Sequence, residues 1–341
     1  MAPLALFRFD ASPAIGSGHG VRSLALARGL ADAGWKVAVA ASPESFGIVD
    51  VPDWVARIVL DGDVGAEPGE IGAAIGTADL LVVDHYGRDS RFETACRSWV
   101  RRILVIDDLA DRAHDCDLIL DQTMGRKQED YSPLVPQGCS MLLEPGYALL
   151  RPEFATGRAV SLARRSDVRL RRVMVSMGGT DPHDVAATVL AGLPEAGLPL
   201  DVDVVSGGRE PSVALKSSAG RVCGTVRLLG QVTDMAASMA EADLAIGAGG
   251  VTSWERCCMG LPTLVITTAE NQELIAARLA AAGAARVLGR HGDVTSAQVA
   301  VAIRDLAEAP QALRHMSEAA QIICDGKGIE RTVAVLAEEV R

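Results

Sequence analysis

The chain has 341 residues, 49% of them hydrophobic and 23% charged, with a formal net charge of −11 at pH 7. That length exceeds the roughly 100–200 residues one core usually serves and predicts two domains, and the apolar content excludes disorder. The acidic balance excludes a general affinity for phosphate backbones, so no nucleic-acid partner is expected.

From the N-terminus, Arg8 and Asp10 cut the first apolar run too early for a signal peptide or a spanning helix. The sequence therefore predicts a cytoplasmic protein with no membrane insertion. Short apolar runs at 4–9, 37–41, 56–60, 80–83, 103–106 and 118–120 read as strands. Helical patterns separate them, such as 21–33, where Leu24, Leu26 and Leu30 share a face. Residues 145–167 carry Pro152, Gly157 and the polar run Arg164-Arg165-Ser166-Asp167 with no sustained period, which reads as a connection. A second strand series follows at 173–176, 202–205, 226–228, 244–246 and 264–266. The end of the chain is helical at 299–307, 311–324 and 328–340, and the last helix is able to lie across both domains. The alternation predicts α/β architecture with two Rossmann-like, doubly wound domains: 1–154, a linker at 155–170, and 171–341 with a helical tail. Seven cysteines without a C-x-x-C pair suggest neither a disulfide framework nor a zinc site.

Four loops at strand ends carry candidate chemistry. Asp10-Ala-Ser-Pro-Ala-Ile-Gly16-Ser-Gly18-His19-Gly20 runs from the first strand into a helix, so Gly16 and Gly18 can aim N–H groups at a ligand. His19 stands where open α/β sheets bind ligands, although a lone His-Gly pair is more often a plain turn. The second loop is Gly247-Ala-Gly249-Gly250-Val251-Thr252-Ser253-Trp254-Glu255. Its amides suit a diphosphate and Glu255 suits ribose hydroxyls; helix capping by Thr252 and Ser253 is the ordinary alternative. Asn271 and Gln272 follow the next strand, with capping as their commoner role. Gly178-Gly179-Thr180-Asp181-Pro182 is either a phosphate-facing turn or an ordinary helix start. Asp84-His85-Tyr86 and Asp107-Asp108 line the same edge or cap helices. The Asp-x-Asp pairs 61/63, 115/117 and 201/203 join none of the glycine loops, and no His/Cys cluster has ligand spacing, so neither metal nor cofactor is expected.

Taken together, the Gly-Ser-Gly-His loop and Gly-Ala-Gly-Gly-Val-Thr-Ser-Trp-Glu resemble the GT-B superfamily that includes MurG. A narrower set is Arg8-x-Asp10, Gly-x-Gly-His19-x-x-Arg22, Asp84-x-Tyr86, Ile106-Asp-Asp-Leu, Tyr147-x-Leu-Leu-Arg-Pro-x-Phe154, Gly178-Gly-Thr-Asp-Pro and Glu270-Asn-Gln. It resembles the PseG family of UDP-sugar hydrolases of pseudaminic acid biosynthesis. The resemblance implies two domains facing each other across a cleft. It implies His19 as the group that activates water, with Tyr86 and Asn271 near the sugar and Glu255 and Gln272 on the nucleoside. Arg8, Asp10, Arg22 and the three glycine loops, including Gly178, Gly179 and 249–253, are implied in substrate binding. The implied substrate is UDP-2,4-diacetamido-2,4,6-trideoxy-β-L-altropyranose, hydrolysed with inversion. His85 beside Tyr86 departs from the pattern and stands as a rival base. A MurG-like transferase and a non-catalytic nucleotide-sugar binding protein are the competing readings. A monomer is expected, since one chain supplies both domains.

Overall fold

The structure, a computed structural model, describes residues 2–339 apart from 13, 14, 61, 167, 168, 180 and 209. Pro13, Ala14, Asp61, Asp167, Thr180 and Val340, all invoked above, lie outside the described residues. The chain divides into two compact units, Met1–Arg151 with Lys327–Arg341, and Pro152–Gly326.

The first unit opens with β1 (Leu4–Phe9), α1 (Gly18–Asp32), β2 (Lys36–Ala41), α2 (Pro43–Ile48), β3 (Ala56–Val59) and α3 (Glu67–Ile75). It continues through β4 (Ala78–Asp84), α4 (Ser90–Cys96), β5 (Val100–Ile106), β6 (Leu118–Asp121), α5 (Gln128–Tyr131) and β7 (Ser140–Leu143). The strands form one parallel sheet in the order β3-β2-β1-β4-β5-β6-β7. Both faces are covered, which is why these strands read as continuous apolar runs. Ala5, Phe7, Phe9, Val39, Leu80 and Val82 fill one core. Their alternates Leu6, Ala40, Leu81, Val83 and Val105 fill the other.

The second unit runs α6 (Pro152–Arg164), β8 (Arg172–Ser176), α7 (Val185–Ala196), β9 (Asp201–Val205), α8 (Val213–Ala219), β10 (Val226–Leu229) and α9 (Met235–Glu241). Then come β11 (Leu244–Gly247), α10 (Thr252–Cys258), β12 (Thr263–Thr267), α11 (Glu273–Ala281), β13 (Ala285–Arg290), α12 (Ser296–Glu308) and α13 (Pro310–Ile323). Its sheet is also parallel, ordered β10-β9-β8-β11-β12-β13. The last helix, α14 (Gly328–Glu339), belongs to the first unit.

Three features differ from the sequence reading. The expected linker at 155–170 is largely α6, with Pro152 at its first position and Gly157 facing Ala236 and Met259. In its polar end Arg164 and Ser166 are exposed, but Arg165 is buried and donates to the carbonyls of Met239 and Ala242 at the close of α9. The tail is not wholly part of the second domain. Leu336 and Thr332 of α14 are buried, Ile329 packs on Gly29 of α1, and Arg331 donates to the carbonyl of Gly146. Finally, β7 and β13 were not anticipated, because each is an edge strand of mixed exposure without a clean apolar run.

In each sheet the strand order reverses beside a central pair, β1/β4 in the first and β8/β11 in the second. Crevices outside the carboxyl ends of such pairs are where open α/β sheets take ligands. The loops at 10–20, 84–86, 178–182 and 247–255 begin at the ends of these central strands, whereas Asp107-Asp108 and Asn271-Gln272 follow the neighbouring strands β5 and β12. No helix among the described residues is long and apolar enough to cross a membrane.

Candidate active site

Phe9 and Asp84 are neighbours at the carboxyl edge of β1 and β4, and α1 starts beside them. His19, in the first turn of α1, places Nδ1 2.5 Å from Asp84 Oδ1. A carboxylate only accepts, so Nδ1 carries a proton, and the neutral imidazole held this way has its lone pair on Nε2. Nε2 has no hydrogen-bond partner among the described residues. Arg22, one turn on, grips Asp84 through Nε (2.7 Å) and Nη2 (2.6 Å), and Ser23 Oγ donates to it at 3.1 Å. Asp84 is fully buried. Burial alone would raise its pKa, but the Arg22 charge and the bonds from Arg22 and His19 outweigh it and hold the carboxyl well below its usual range. Tyr86 lies edge-on to His19, with ring centroids 4.6 Å apart and planes at 87°. Its hydroxyl donates to Asp108 Oδ2 at 3.2 Å, which also receives Arg22 Nη1 at 3.2 Å. Burial and the Asp108 charge push the phenol pKa upward, so Tyr86 stays a neutral donor.

Beside this dyad sits a network that the sequence reading had assigned to substrate. Arg8 is buried, and its five N–H donors are all consumed by Asp10, Glu67 and the Phe9 carbonyl. Arg88 completes the cluster with a second bidentate grip on Glu67. Asp10 takes Arg8 on both oxygens and also receives Ser42 N, Ser45 Oγ and His85 Nε2. Arg8 is thus fully spent within this cluster, Asp10 is held by it, and Arg22 orients Asp84. Gly16 is a turn residue, with φ of +77° and its N–H closed on the Ser12 carbonyl at 2.7 Å. Gly18 forms the first residue of α1.

His85 does not rival His19. Its Nδ1 accepts the Gly87 N–H at 2.8 Å, and its Nε2 therefore carries the proton and donates to Asp10 at 3.0 Å. Both nitrogens are occupied, and burial lowers its pKa.

In the second unit, β11 ends in Gly247 and the chain turns through Ala248, Gly249, Gly250 and Val251 into α10. Gly249 N donates to Gln272 Oε1 at 3.2 Å, and the same oxygen accepts Thr268 N at 2.9 Å. Gln272 thus clamps the loop through its carbonyl, leaving its Nε2 hydrogens without acceptors among the described residues. The N–H groups of Gly250 and Val251 also lack acceptors there, whereas Ser253 N and Trp254 N are spent on the Gly250 and Val251 carbonyls. Ser253 is buried, and Arg256 donates to its Oγ and to Thr252 Oγ1. At seven residues α10 is short, so any anion here meets loop amides more than a helix field. Glu255 is buried in the first turn of α10, and Asn271 is exposed on the 3₁₀ turn Glu270–Gln272. After β8, Gly178 has φ of +92°, and Asp181 accepts from Val185 N and Ala186 N; α7 begins only at Val185, behind two left-handed residues, Asp181 (φ +37°) and Asp184 (φ +53°), so Pro182 does not open the helix. Among the Asp-x-Asp residues, Asp115 and Asp117 are held by Arg97, and Asp203 by Arg172 and Arg227.

The sequence reading missed one pairing and one residue. Asp84 was named as lining the edge or capping a helix, but its bond to His19 was not seen, since nothing local reveals a partner 65 positions away. Arg256 was passed over, although a cation directly before the buried pair Cys257-Cys258 was a readable sign.

Comparison with known proteins bears on this geometry. Residues 176–332 match the glycosyltransferase family 28 C-terminal domain. That family 28 segment contains β11, its glycine loop and α10. The chain is 27% identical to the UDP-2,4-diacetamido-2,4,6-trideoxy-beta-L-altropyranose hydrolase of Campylobacter jejuni, over 82% of this chain and 96% of that protein. It is 29% identical to the spore coat polysaccharide biosynthesis protein SpsG of Bacillus subtilis, over 59% of this chain and 60% of that protein. Acinetobacter baumannii MurG superposes with a TM-score of 0.71 at 15% identity, covering 99% of this chain and 100% of MurG. The fold is GT-B, with two Rossmann-like parallel-sheet domains.

Proposed function

We propose that this protein is a cytoplasmic UDP-sugar hydrolase in which His19 activates water and UDP departs. The observation that carries the reading is the Asp84-anchored imidazole of His19, whose Nε2 is left without a partner among the described residues. An imidazole fixed in one tautomer by a buried carboxylate is a general base in waiting. The Campylobacter relative, matched over nearly its whole length, is named as a hydrolase of this kind and supports the same substrate class.

In the proposed reaction, Nε2 takes a proton from water as the water oxygen bonds to the anomeric carbon. The bond from that carbon to the UDP oxygen breaks, with inversion, and yields free sugar and UDP. The N–H groups of Gly250 and Val251 receive charge developing on the diphosphate. Glu255 and the Gln272 amide hold the nucleoside, with Tyr86 and Asn271 beside the sugar. The 2,4-diacetamido-2,4,6-trideoxy-L-altrose unit is the sugar proposed, and the chain acts as a monomer.

The test separates binding from turnover. His19→Ala should bind UDP-sugar nearly as the parent does while losing roughly 10²–10⁴-fold in kcat. Weakened binding with unchanged turnover per bound complex would refute the assignment.

A further inference from the structure

Arg256 presents a problem the proposed reaction does not use. The residue is 3% exposed, yet no carboxylate forms an ion pair with it among the described residues; the charge of the neighbouring Glu255 acts on it without a direct contact and does not offset its burial. Its Nη2 donates to the Ala248 carbonyl at 2.6 Å and to Ser253 Oγ at 3.0 Å, and Nη1 donates to Thr252 Oγ1 at 3.3 Å. The Nε hydrogen is buried without an acceptor. Burial pushes the guanidinium pKa down to about 10, so the group still carries its charge at neutral pH.

Stitching a loop does not require that charge. A neutral amide side chain could donate to a carbonyl and a hydroxyl without the desolvation penalty of a buried, unpaired cation. The chain also makes room for this group: a Cβ on Gly247 would stand 2.5 Å from Arg256 Nη1. Both the space and the penalty are accounted for if a counter-charge beyond that of Glu255 arrives with a ligand. The bonds to Ala248 and Ser253 draw those groups beneath the loop, and the unspent amides of Gly250 and Val251 belong to the segment between them.

We propose that Arg256 is a positioning residue that makes the 247–253 loop selective for a nucleoside diphosphate over the bare nucleoside. It acts from beneath the loop, holding its shape and supplying the positive field that the diphosphate meets. This inference rests on the proposed role of the loop in taking UDP.

The test is the ratio of UDP to uridine affinity, measured by calorimetry on the full chain. Arg256→Gln keeps neutral donors and removes the charge. It should lower UDP affinity by roughly 10–100-fold while changing uridine affinity by less than about threefold. Arg256→Lys keeps the charge and should retain most of the UDP preference, and it decides the matter if the Gln variant proves unfolded by circular dichroism. If UDP and uridine weaken by the same factor in the variants, or if UDP binding is unchanged, Arg256 is only a structural stitch and the proposal is overturned. A parent protein that fails to bind UDP at all would overturn the proposed function as well, which keeps the two failures distinct.

Discussion

Asp84 serves two side chains at once, orienting the His19 imidazole and neutralising the Arg22 guanidinium, and the two roles predict different damage. Asp84→Asn can no longer fix the Nδ1–H tautomer and leaves a buried guanidinium without its main partner. Activity should fall by roughly 10²–10⁴-fold, and stability by about 3–5 kcal/mol, read as a lower urea midpoint. His19→Ala should reduce activity without a comparable stability loss, so the pair of variants separates orientation from folding. The sequence exposed both ends of this dyad, since His19 stood in a glycine loop and Asp84 closed an apolar strand. Their pairing was hidden because it depends on β1 and β4 being neighbours. Arg8 and Asp10 show the same limit: their spacing was visible, but Glu67, which takes Arg8, and Arg88, which shares the cluster, come from distant elements.

At the scale of elements, the carboxyl edge of the first sheet concentrates acids, most of whose pKa values the fold depresses; Asp121 at the end of β6 is raised by burial and opposes the trend. Burial opposes the shift at Asp10, Glu67, Asp84 and Asp107. Bonds and charges from arginines and other donors overcome it, so the folded carboxyls lie below their unfolded values of about 4. A depressed folded pKa adds stability above the unfolded value and loses it as pH falls through the folded one. The first unit should therefore weaken progressively below pH ~4. Denaturation followed by the fluorescence of Trp35, Trp54 and Trp99 checks this, and an unchanged midpoint down to strongly acidic pH would contradict it.

Helix packing gives a second test. Gly29→Ala gains about 1 kcal/mol of helix propensity, but its Cβ would lie 2.3 Å from Ile329 Cγ2. Overpacking costs about 1–3 kcal/mol, so net destabilisation is expected in the denaturation midpoint. Central strands were legible because they are apolar on both faces. The edges β7 and β13 were not, and α6 was obscured by Pro152, Gly157 and arginines whose carbonyl partners lie on α9.

For the whole molecule, two α/β domains followed directly from the β–α alternation, and the boundary between them did not. The chain leaves the first unit at Arg151 and returns to it at Lys327, a course set by the burial of α14 residues that a linear reading assigns to the nearest domain. Removing α14 should expose its footprint on α1 and lower the unfolding midpoint of the first unit while sparing the second. The central claim is that water, activated by His19, attacks the sugar and not the phosphate. Its most direct measurement is hydrolysis of the UDP-linked diacetamido sugar in H₂¹⁸O, with the products resolved by mass spectrometry and the sugar anomer by NMR. The account predicts ¹⁸O in the free sugar with inverted configuration and none in UDP; label in UDP, or no sugar released until an acceptor alcohol is added, would contradict it.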